Sequence, residues 1–303
     1  MSETFVIPAM GWLPDYPDIR DVTFQSERVP SKLQALGQPS VKQMLAKVGA
    51  TTSAPATLPA SVDLRPWCSP IEDQKTIGSC TAHAGVGLVE YFERRAFGKH
   101  IDASRLFLYK VTRNLLKWTG DTGAFLRSTM YALTLFGVPP EEYYPYNIAD
   151  FDKEPSAFCY AFGQSYQAIS YYRLDPPGTT PSNLLTQIKT YLANGLPSMF
   201  GFTVYSSINQ GNTTGKIPYP TRGEKVLGGH AIDAVGYDDN LKIKNTNPGG
   251  IETTGALLIR NSWGNAWGSA GYGWLPYKYV LDGLATDWWS LIKSEWIDTG
   301  QFG

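Results

Sequence analysis

The chain has 303 residues and a formal net charge of −1, with 26 Lys and Arg side chains against 27 Asp and Glu. This balance, without any Lys/Arg block, argues against a nucleic-acid-binding protein, whose surface carries clustered positive charge. No apolar run approaches the ~18 residues that cross a bilayer, so we expect no membrane span. The N-terminus has neither the basic nor the apolar region of a signal peptide, which predicts a cytoplasmic protein and leaves export by another route open.

The first part of the chain, residues 1–57, differs in composition from the remainder. An extended stretch rich in Pro and Asp, GWLPDYPDIRD, precedes apolar residues at helical spacing that are interrupted by Pro and Gly. It ends in GATTSAPATLPA, a small and polar run that is typical of a linker open to proteolysis. We therefore predict a propeptide-like leader over residues 1–57 and a main domain over residues 58–303.

The main domain contains predicted helices first and predicted strands afterwards. The helical runs have apolar residues at helical spacing, and the last two end at Gly137 and Gly195. They cover residues 80–97, 104–116, 124–137 and 182–195. The strand-length runs are β-rich and bounded by glycine, and cover residues 197–205, 230–239, 255–264 and 271–280. This order predicts an α+β protein, and two lobes with a cleft between them would suit it.

Cys80 is one of three cysteines, too few for a disulfide scaffold, and it follows a Gly-Ser turn at the start of the first predicted helix. Unpaired N–H groups and the positive end of the helix dipole stabilise a thiolate there and lower its pKa from about 8.5. On position alone, a cysteine packed into the core is an equally good interpretation.

A thiolate that attacks a carbonyl group needs a base, and the chain has three histidines. His83 lies one helical turn after Cys80 on an inward face, and His100 lies in a polar loop, so we interpret them as structural and solvated respectively. His230 follows two glycines and begins the apolar run AIDAVGY, which suits a side chain that lines a cleft. Considered by itself, a structural His230 remains slightly favoured.

Two further polar residues complete a possible catalytic group. Asn261 follows another apolar strand and can orient an imidazole, with Trp263 covering that contact. Gln74 lies near the helix N-terminus, where its amide and the Cys80 N–H would supply two donors to a developing oxyanion. Each feature is weak alone, and a turn Asn with a core Trp would be favoured, but together they predict acyl-transfer chemistry.

Three motifs in this order, QKTIGSC, GGHAIDAVGYDD and RNSWGNAWGSAGYGW, resemble the papain family of cysteine peptidases. His230 follows Cys80 by 150 residues (230 − 80), which agrees with that family's spacing. LPASVDLRP resembles the start of a mature papain-like domain, and GDTGAFLRSTMYALTLFGVPPEEYYPY resembles a segment that forms one wall of its cleft. The resemblance implies a papain-like α+β fold, with a helical N-terminal lobe, a β-barrel-like C-terminal lobe and an active-site cleft between them.

The resemblance also implies roles for individual residues. Cys80 would be the nucleophile, His230 the general acid and base, Asn261 its orienting partner and Gln74 an oxyanion donor, with no metal or organic cofactor. Peptide backbone would pair with the Gly123–Ala124 edge, and Ala124 and Phe125 would help to shape the specificity pocket. The substrate-binding residues implied in this way are Gly78, Ser79, Gly123, Ala124, Phe125, Gly229 and Trp263.

The sequence departs from the family pattern at a disulfide. The family commonly joins a cysteine three residues before the nucleophile to one in the cleft segment, whereas this chain has Ile77 and Asp121 there. Both ends are replaced together, so we predict that this disulfide is absent, which fits a reducing compartment.

The resulting functional prediction is a monomeric peptidase that cleaves peptide or protein substrates through a thioester. The leader would lie along the cleft as an intramolecular inhibitor until the linker GATTSAPAT is cut. A non-catalytic peptide-binding module that retains the fold is the alternative, and acyl transfer to a nucleophile other than water is a third possibility.

Overall fold

The computed structural model describes residues 7–29, 34, 37–50, 57–166 and 170–303. In the described residues, the helical lobe contains four helices that follow one another along the sequence. These are α2 (Cys80–Phe97), α3 (Arg105–Leu115), α4 (Leu126–Phe136) and α5 (Ala157–Gly163). Helix α2 packs against α3 and α4 on one side and against the sheet on the other. It is therefore buried continuously from Cys80 to Phe92.

Seven strands of the described chain form one antiparallel sheet. They are β1 (Ser61–Asp63), β2 (Ser170–Arg173), β3 (Ser198–Tyr205), β4 (Val226–Lys244), β5 (Glu252–Arg260), β6 (Tyr272–Pro276) and β7 (Ala285–Ile292). The strand order is β2-β7-β3-β4-β5-β6, and β1 pairs with β4. The long strand β4 is thus central, and it contacts α2, which joins the two lobes.

Smaller helices cover the edges of this sheet and tie the leader to it. Helix α6 (Pro181–Ala193) packs on β4 and on the short α7 (Tyr277–Leu281), while α8 (Ser294–Ile297) contacts α2 and α1 (Val41–Lys47). The apolar face of α1 is buried, with Met44 and Leu45 in the core. This part of the predicted leader therefore packs as an integral element of the fold.

The four predicted helices of the main domain are confirmed, each within two residues of its expected ends. The run 271–280 was predicted as one strand, but it forms β6 and then turns into α7 at Pro276, whose ring fixes its φ at −53°. Strands β1, β2 and β7 were not predicted. The linker residues 51–56 lie outside the described part of the chain. Among the described helices, none combines the length and apolar character needed to cross a bilayer.

Candidate active site

Helix α2 and the two central strands bring three of the predicted residues together. Cys80 begins α2, His230 lies in β4, and Asn261 directly follows β5, which pairs with β4. The sulfur of Cys80 accepts hydrogen bonds from backbone N–H groups that include that of Ala231, the residue after His230. The Cys80 sulfur therefore lies next to the segment of β4 that carries His230.

His230 is oriented by a hydrogen bond to Asn261. Its Nε2 donates to Asn261 Oδ1 at 2.8 Å, and the same oxygen accepts the Ser262 N–H at 2.8 Å, which fixes the amide orientation. Trp263 stacks on the imidazole, with ring centroids 4.7 Å apart. Within the described chain His230 Nδ1 has no hydrogen-bond partner. That nitrogen is thus available for proton exchange with the thiol.

Burial determines the protonation of this pair. It raises the pKa of Cys80 to about 11, against the lowering effect of backbone hydrogen bonds from Ala231 and Gly11. Burial also lowers the pKa of His230 to about 4, although the Asn261 hydrogen bond opposes this change. The lowered thiol pKa expected from the helix N-terminus is thus wrong for this covered state, because removal from water outweighs the helix dipole. Both groups are neutral here.

Gln74 lies next to this pair, and three hydrogen bonds fix its amide. Its Oε1 accepts the Ser262 hydroxyl at 2.7 Å, and its Nε2 donates to the carbonyl of Ala9 at 2.8 Å and to that of Ile77 at 3.0 Å. The Ser262 contact directs the N–H₂ group toward the position where a carbonyl oxygen is bound. Sequence reasoning missed Ser262, although it lies between two residues that were singled out.

A polar contact replaces the missing disulfide at the cleft wall. The carboxylate of Asp121 accepts the Gly78 N–H at 2.9 and 3.1 Å and the Tyr109 hydroxyl at 2.5 Å. The Gly123 N–H in turn donates to the Tyr109 oxygen at 3.1 Å. All three cysteines of the chain are free. Asp121 thus joins by hydrogen bonds the two segments that the family commonly joins by a disulfide.

We predict that Asp121→Ala lowers the free energy of unfolding by about 1–3 kcal/mol, because the Gly78 N–H and the Tyr109 hydroxyl lose their shared acceptor. Chemical denaturation of the variant and the parent measures this difference. Asp298→Ala is the control, since that carboxylate pairs with Lys47 at the surface with 54% of its side chain exposed. A surface pair contributes about 0–1 kcal/mol, and equal losses in the two variants would contradict the role given to Asp121.

The N-terminal segment lies in the cleft and pairs with its walls. The Ala124 N–H donates to the Gly11 carbonyl at 2.8 Å, the Leu13 N–H donates to the Ala124 carbonyl at 3.1 Å, and the Trp12 N–H donates to the Gly229 carbonyl at 3.1 Å. Trp12 and Ala124 thus form a parallel β-bridge. Gly229 and Ala124, both predicted to bind substrate, contact backbone of the leader.

The remaining predicted substrate-binding residues divide into two groups. Gly78 and Gly123 adjoin Gly11 so closely that a Cβ on Gly11 would overlap the Gly78 carbonyl. The Ser79 hydroxyl instead forms a 2.6 Å hydrogen bond with the Tyr146 hydroxyl inside the helical lobe. The Phe125 ring packs against Trp118, with ring centroids 5.5 Å apart, at the residue that directly precedes α4.

Ion pairs hold the outer part of the leader. Arg127 of α4 pairs with Asp15, and its Nε donates to Asp21 Oδ1 at 2.7 Å. Arg173 of β2 lies 3.5 Å from the second oxygen of Asp21. The same Arg173 pairs with Asp175 at 2.9 Å. The leader is therefore fixed by backbone pairing in the cleft and by charge beyond it.

Comparison with known proteins agrees with this geometry. Residues 58–282 match the family described as papain family cysteine protease. The chain is 31% identical over 298 residues to an uncharacterized peptidase C1-like protein of Acanthamoeba polyphaga mimivirus, covering 95% of this chain and 88% of the relative. It is 28% identical over 278 residues to the cathepsin B-like CP3 of Giardia intestinalis, covering 80% of this chain and 81% of that protein.

Two solved structures have the same fold. Xylellain, a cysteine protease from Xylella fastidiosa, has a TM-score of 0.71 and 32% sequence identity, with 94% of this chain and 96% of that chain covered. Digestive procathepsin L 3 of Tenebrio molitor larval midgut has a TM-score of 0.60 and 20% identity, with 84% and 79% covered. The match over residues 58–282 establishes that this chain belongs to the papain family of cysteine peptidases.

Proposed function

We propose that the chain hydrolyses peptide bonds with Cys80, His230, Asn261 and Gln74 as its catalytic group, and that its N-terminal segment blocks this group. The observation that carries the proposal is the convergence of the Cys80 thiol and the Gln74 amide on one stretch of peptide backbone, beside the strand that carries the His230–Asn261 pair. That backbone belongs to the leader, with the Ala9 carbonyl accepting from Gln74 and the Gly11 N–H donating to the sulfur.

The reaction proceeds once the leader has left the cleft and the four catalytic residues are open to solvent. Once water reaches the cleft, the desolvation that keeps the thiol neutral is relieved, and Cys80 transfers its proton to His230 Nδ1. The thiolate attacks the substrate carbonyl carbon, and the oxyanion accepts hydrogen bonds from Gln74 Nε2 and the Cys80 N–H. His230 protonates the leaving amine as the C–N bond breaks, and water then hydrolyses the thioester.

The inhibitory role of the leader rests on its occupation of the cleft. The Gly11 N–H donates to the sulfur, and Trp12 lies between Ala124 and Gly229, two of the residues proposed to bind substrate. A substrate and the leader therefore compete for the same hydrogen-bonding groups. Release requires the leader to detach, with cutting of the linker after α1 as the proposed trigger. The proposal includes a division into a leader over residues 1–57 and a peptidase domain over residues 58–303. It also includes a monomeric state.

Replacing Cys80 by Ala tests the catalytic proposal and separates it from a non-catalytic binding module. We expect loss of peptide hydrolysis and of labelling by a thiol-directed epoxide, because the nucleophilic sulfur is removed. Hydrolysis of a mixed peptide library and intact-protein mass measure the two effects. Cys159→Ala is the matched control and should retain both. Labelling that persists in Cys80→Ala, or hydrolysis by neither the parent nor the control after release of the leader, would contradict the assignment.

A further inference from the structure

Trp12 of the leader fills a pocket whose walls are two strand glycines. The side chain is only 5% exposed and lies against Gly201 of β3 and Gly229 of β4. A Cβ on Gly201 would overlap the six-membered ring, and one on Gly229 would lie 2.7 Å from Cε3. Neither glycine has a positive φ, so backbone conformation does not require them. Their small size instead leaves room for a side chain as large as indole.

The floor of this pocket is the carboxylate of Asp287. Asp287 lies in an irregular part of β7, has a φ of 61° and is fully buried. The N–H groups of Asp287 and Trp288 donate to Asp175 at 2.8 and 3.0 Å, which fixes this local bulge. A bulge redirects a side chain out of the regular strand alternation. Here it turns Asp287 toward Trp12.

The two oxygens of Asp287 have different partners. Oδ1 accepts the Trp289 indole N–H at 2.7 Å and lies 3.3 Å from Arg173, so the peptidase domain itself satisfies it. Oδ2 accepts the Trp12 indole N–H at 3.1 Å. When the leader detaches, Oδ2 loses that donor. A buried acceptor without a donor is costly, so the pocket favours an occupant that supplies an N–H.

The charges around the pocket favour a neutral donor over a cation. Arg173 pairs with both Asp175 and Asp287, and Arg127 lies over the neighbouring Trp289 ring at 5.8 Å. Two arginines thus already balance the two carboxylates that remain after the leader leaves. A further positive side chain therefore gains little there.

We propose that this pocket selects a tryptophan side chain of peptide substrates, and that Asp287, Gly201 and Gly229 are the residues that determine this specificity. The glycines admit the two-ring side chain, and Asp287 Oδ2 accepts its N–H. The inference deepens the proposed function and rests on it for turnover. It makes Trp12 a substrate-like occupant of the pocket.

Binding of a matched peptide pair tests the inference without turnover. The probes are the peptide of residues 7–20 and the same peptide with Phe at the position of Trp12. The protein is the full chain with Cys80→Ala and Trp12→Ala, and fluorescence anisotropy gives the dissociation constants. We expect the Trp peptide to bind about 10- to 100-fold more tightly, the range for a hydrogen bond to a charged group. Equal affinities would overturn the inference.

Two variants identify the residues responsible. Asp287→Asn suits the left-handed backbone, and Trp289 and Arg173 favour its amide oxygen at the Oδ1 position, so its N–H₂ faces the indole N–H. We expect the preference for Trp over Phe to disappear in this variant. Asp282→Asn, a surface carboxylate, is the matched control and should keep the preference. Gly201→Ala should weaken the binding of both peptides at least tenfold, because the added methyl group overlaps the aromatic ring.

Hydrolysis supplies the second readout. A peptide library is treated with the full chain carrying Trp12→Ala, and mass spectrometry maps the cleaved bonds. We expect Trp to be enriched at one fixed distance from the bond. Hydrolysis with Arg or Leu enriched there instead would overturn the inference and leave the peptidase assignment intact. No hydrolysis of any peptide would contradict the proposed function, and the peptide affinities would still decide the inference.

Discussion

The full-length chain with Trp12→Ala is expected to hydrolyse peptides about 100-fold faster than the parent chain. Truncation of a buried Trp costs about 3–5 kcal/mol, and this loss falls on the blocked state, because Trp12 is exposed once the leader detaches. Each 1.4 kcal/mol changes the open population tenfold, so a 100-fold rise uses only part of that energy. Initial rates on the mixed peptide library, with no processing step beforehand, measure the effect.

Ile19→Ala is the matched control for this prediction. Ile19 also lies in the leader but is 98% exposed, so its truncation removes no contact with the cleft and should leave the rate unchanged. Gly11→Ala is an independent way to displace the leader, since its Cβ would overlap the Gly78 carbonyl. If both Trp12→Ala and Gly11→Ala bound the epoxide no faster than the parent, the leader would not be the inhibitor.

Gln74→Ala should lower kcat by about 10²- to 10³-fold, the usual cost of removing one oxyanion donor. The measurement is made in the Trp12→Ala chain, so that the leader does not mask the chemical step. Ser262→Ala should cause a smaller loss, because it removes the hydrogen bond that directs the Gln74 amide but leaves the donor itself. KM should change little in either variant, since the interaction strengthens as charge develops on the oxygen.

The control for this prediction is Gln301→Ala, which removes a carboxamide from the exposed C-terminal end of the chain. It should leave kcat unchanged. A loss of kcat below tenfold in Gln74→Ala, with an intact fold by circular dichroism, would contradict the assignment of Gln74 as an oxyanion donor. A loss in Ser262→Ala equal to that in Gln74→Ala would indicate that the hydroxyl itself contacts the reacting group.

Local signals were sufficient to predict the helices and the central strands, because apolar periodicity and glycine ends are properties of short segments. The grouping of Cys80, His230 and Asn261 was suggested by their residue types and strengthened by the resemblance. Their proximity itself depends on α2 packing against β4 and on the pairing of β4 with β5. Strand β7, with the sequence ATDWWSLI, was missed. Its bulge at Asp287 interrupts the alternation that marks a strand, and this bulge forms the pocket floor.

Other features of the site depend on contacts between distant residues. The carboxylate of Asp121 accepts hydrogen bonds from Gly78 and Tyr109, and these contacts are visible only in the folded chain. In the sequence, Asp121 is noticeable only because it replaces a cysteine of the family. The pKa of Cys80 depends on whether residues from the far N-terminus cover it, which the helix-terminus argument cannot include. The leader illustrates the same limit, because α1 packs in the core while residues 9–13 lie in the cleft.

The two kinds of contact that hold the leader respond differently to ionic strength. The pair between Arg127 and Asp15 has both side chains 25% exposed, so dissolved ions screen it, whereas Asp21 is only 5% exposed. The indole of Trp12 is held by burial and a buried hydrogen bond, which salt does not weaken in this way. We therefore expect salt to loosen the leader first at Asp15 and last at the residues over Cys80.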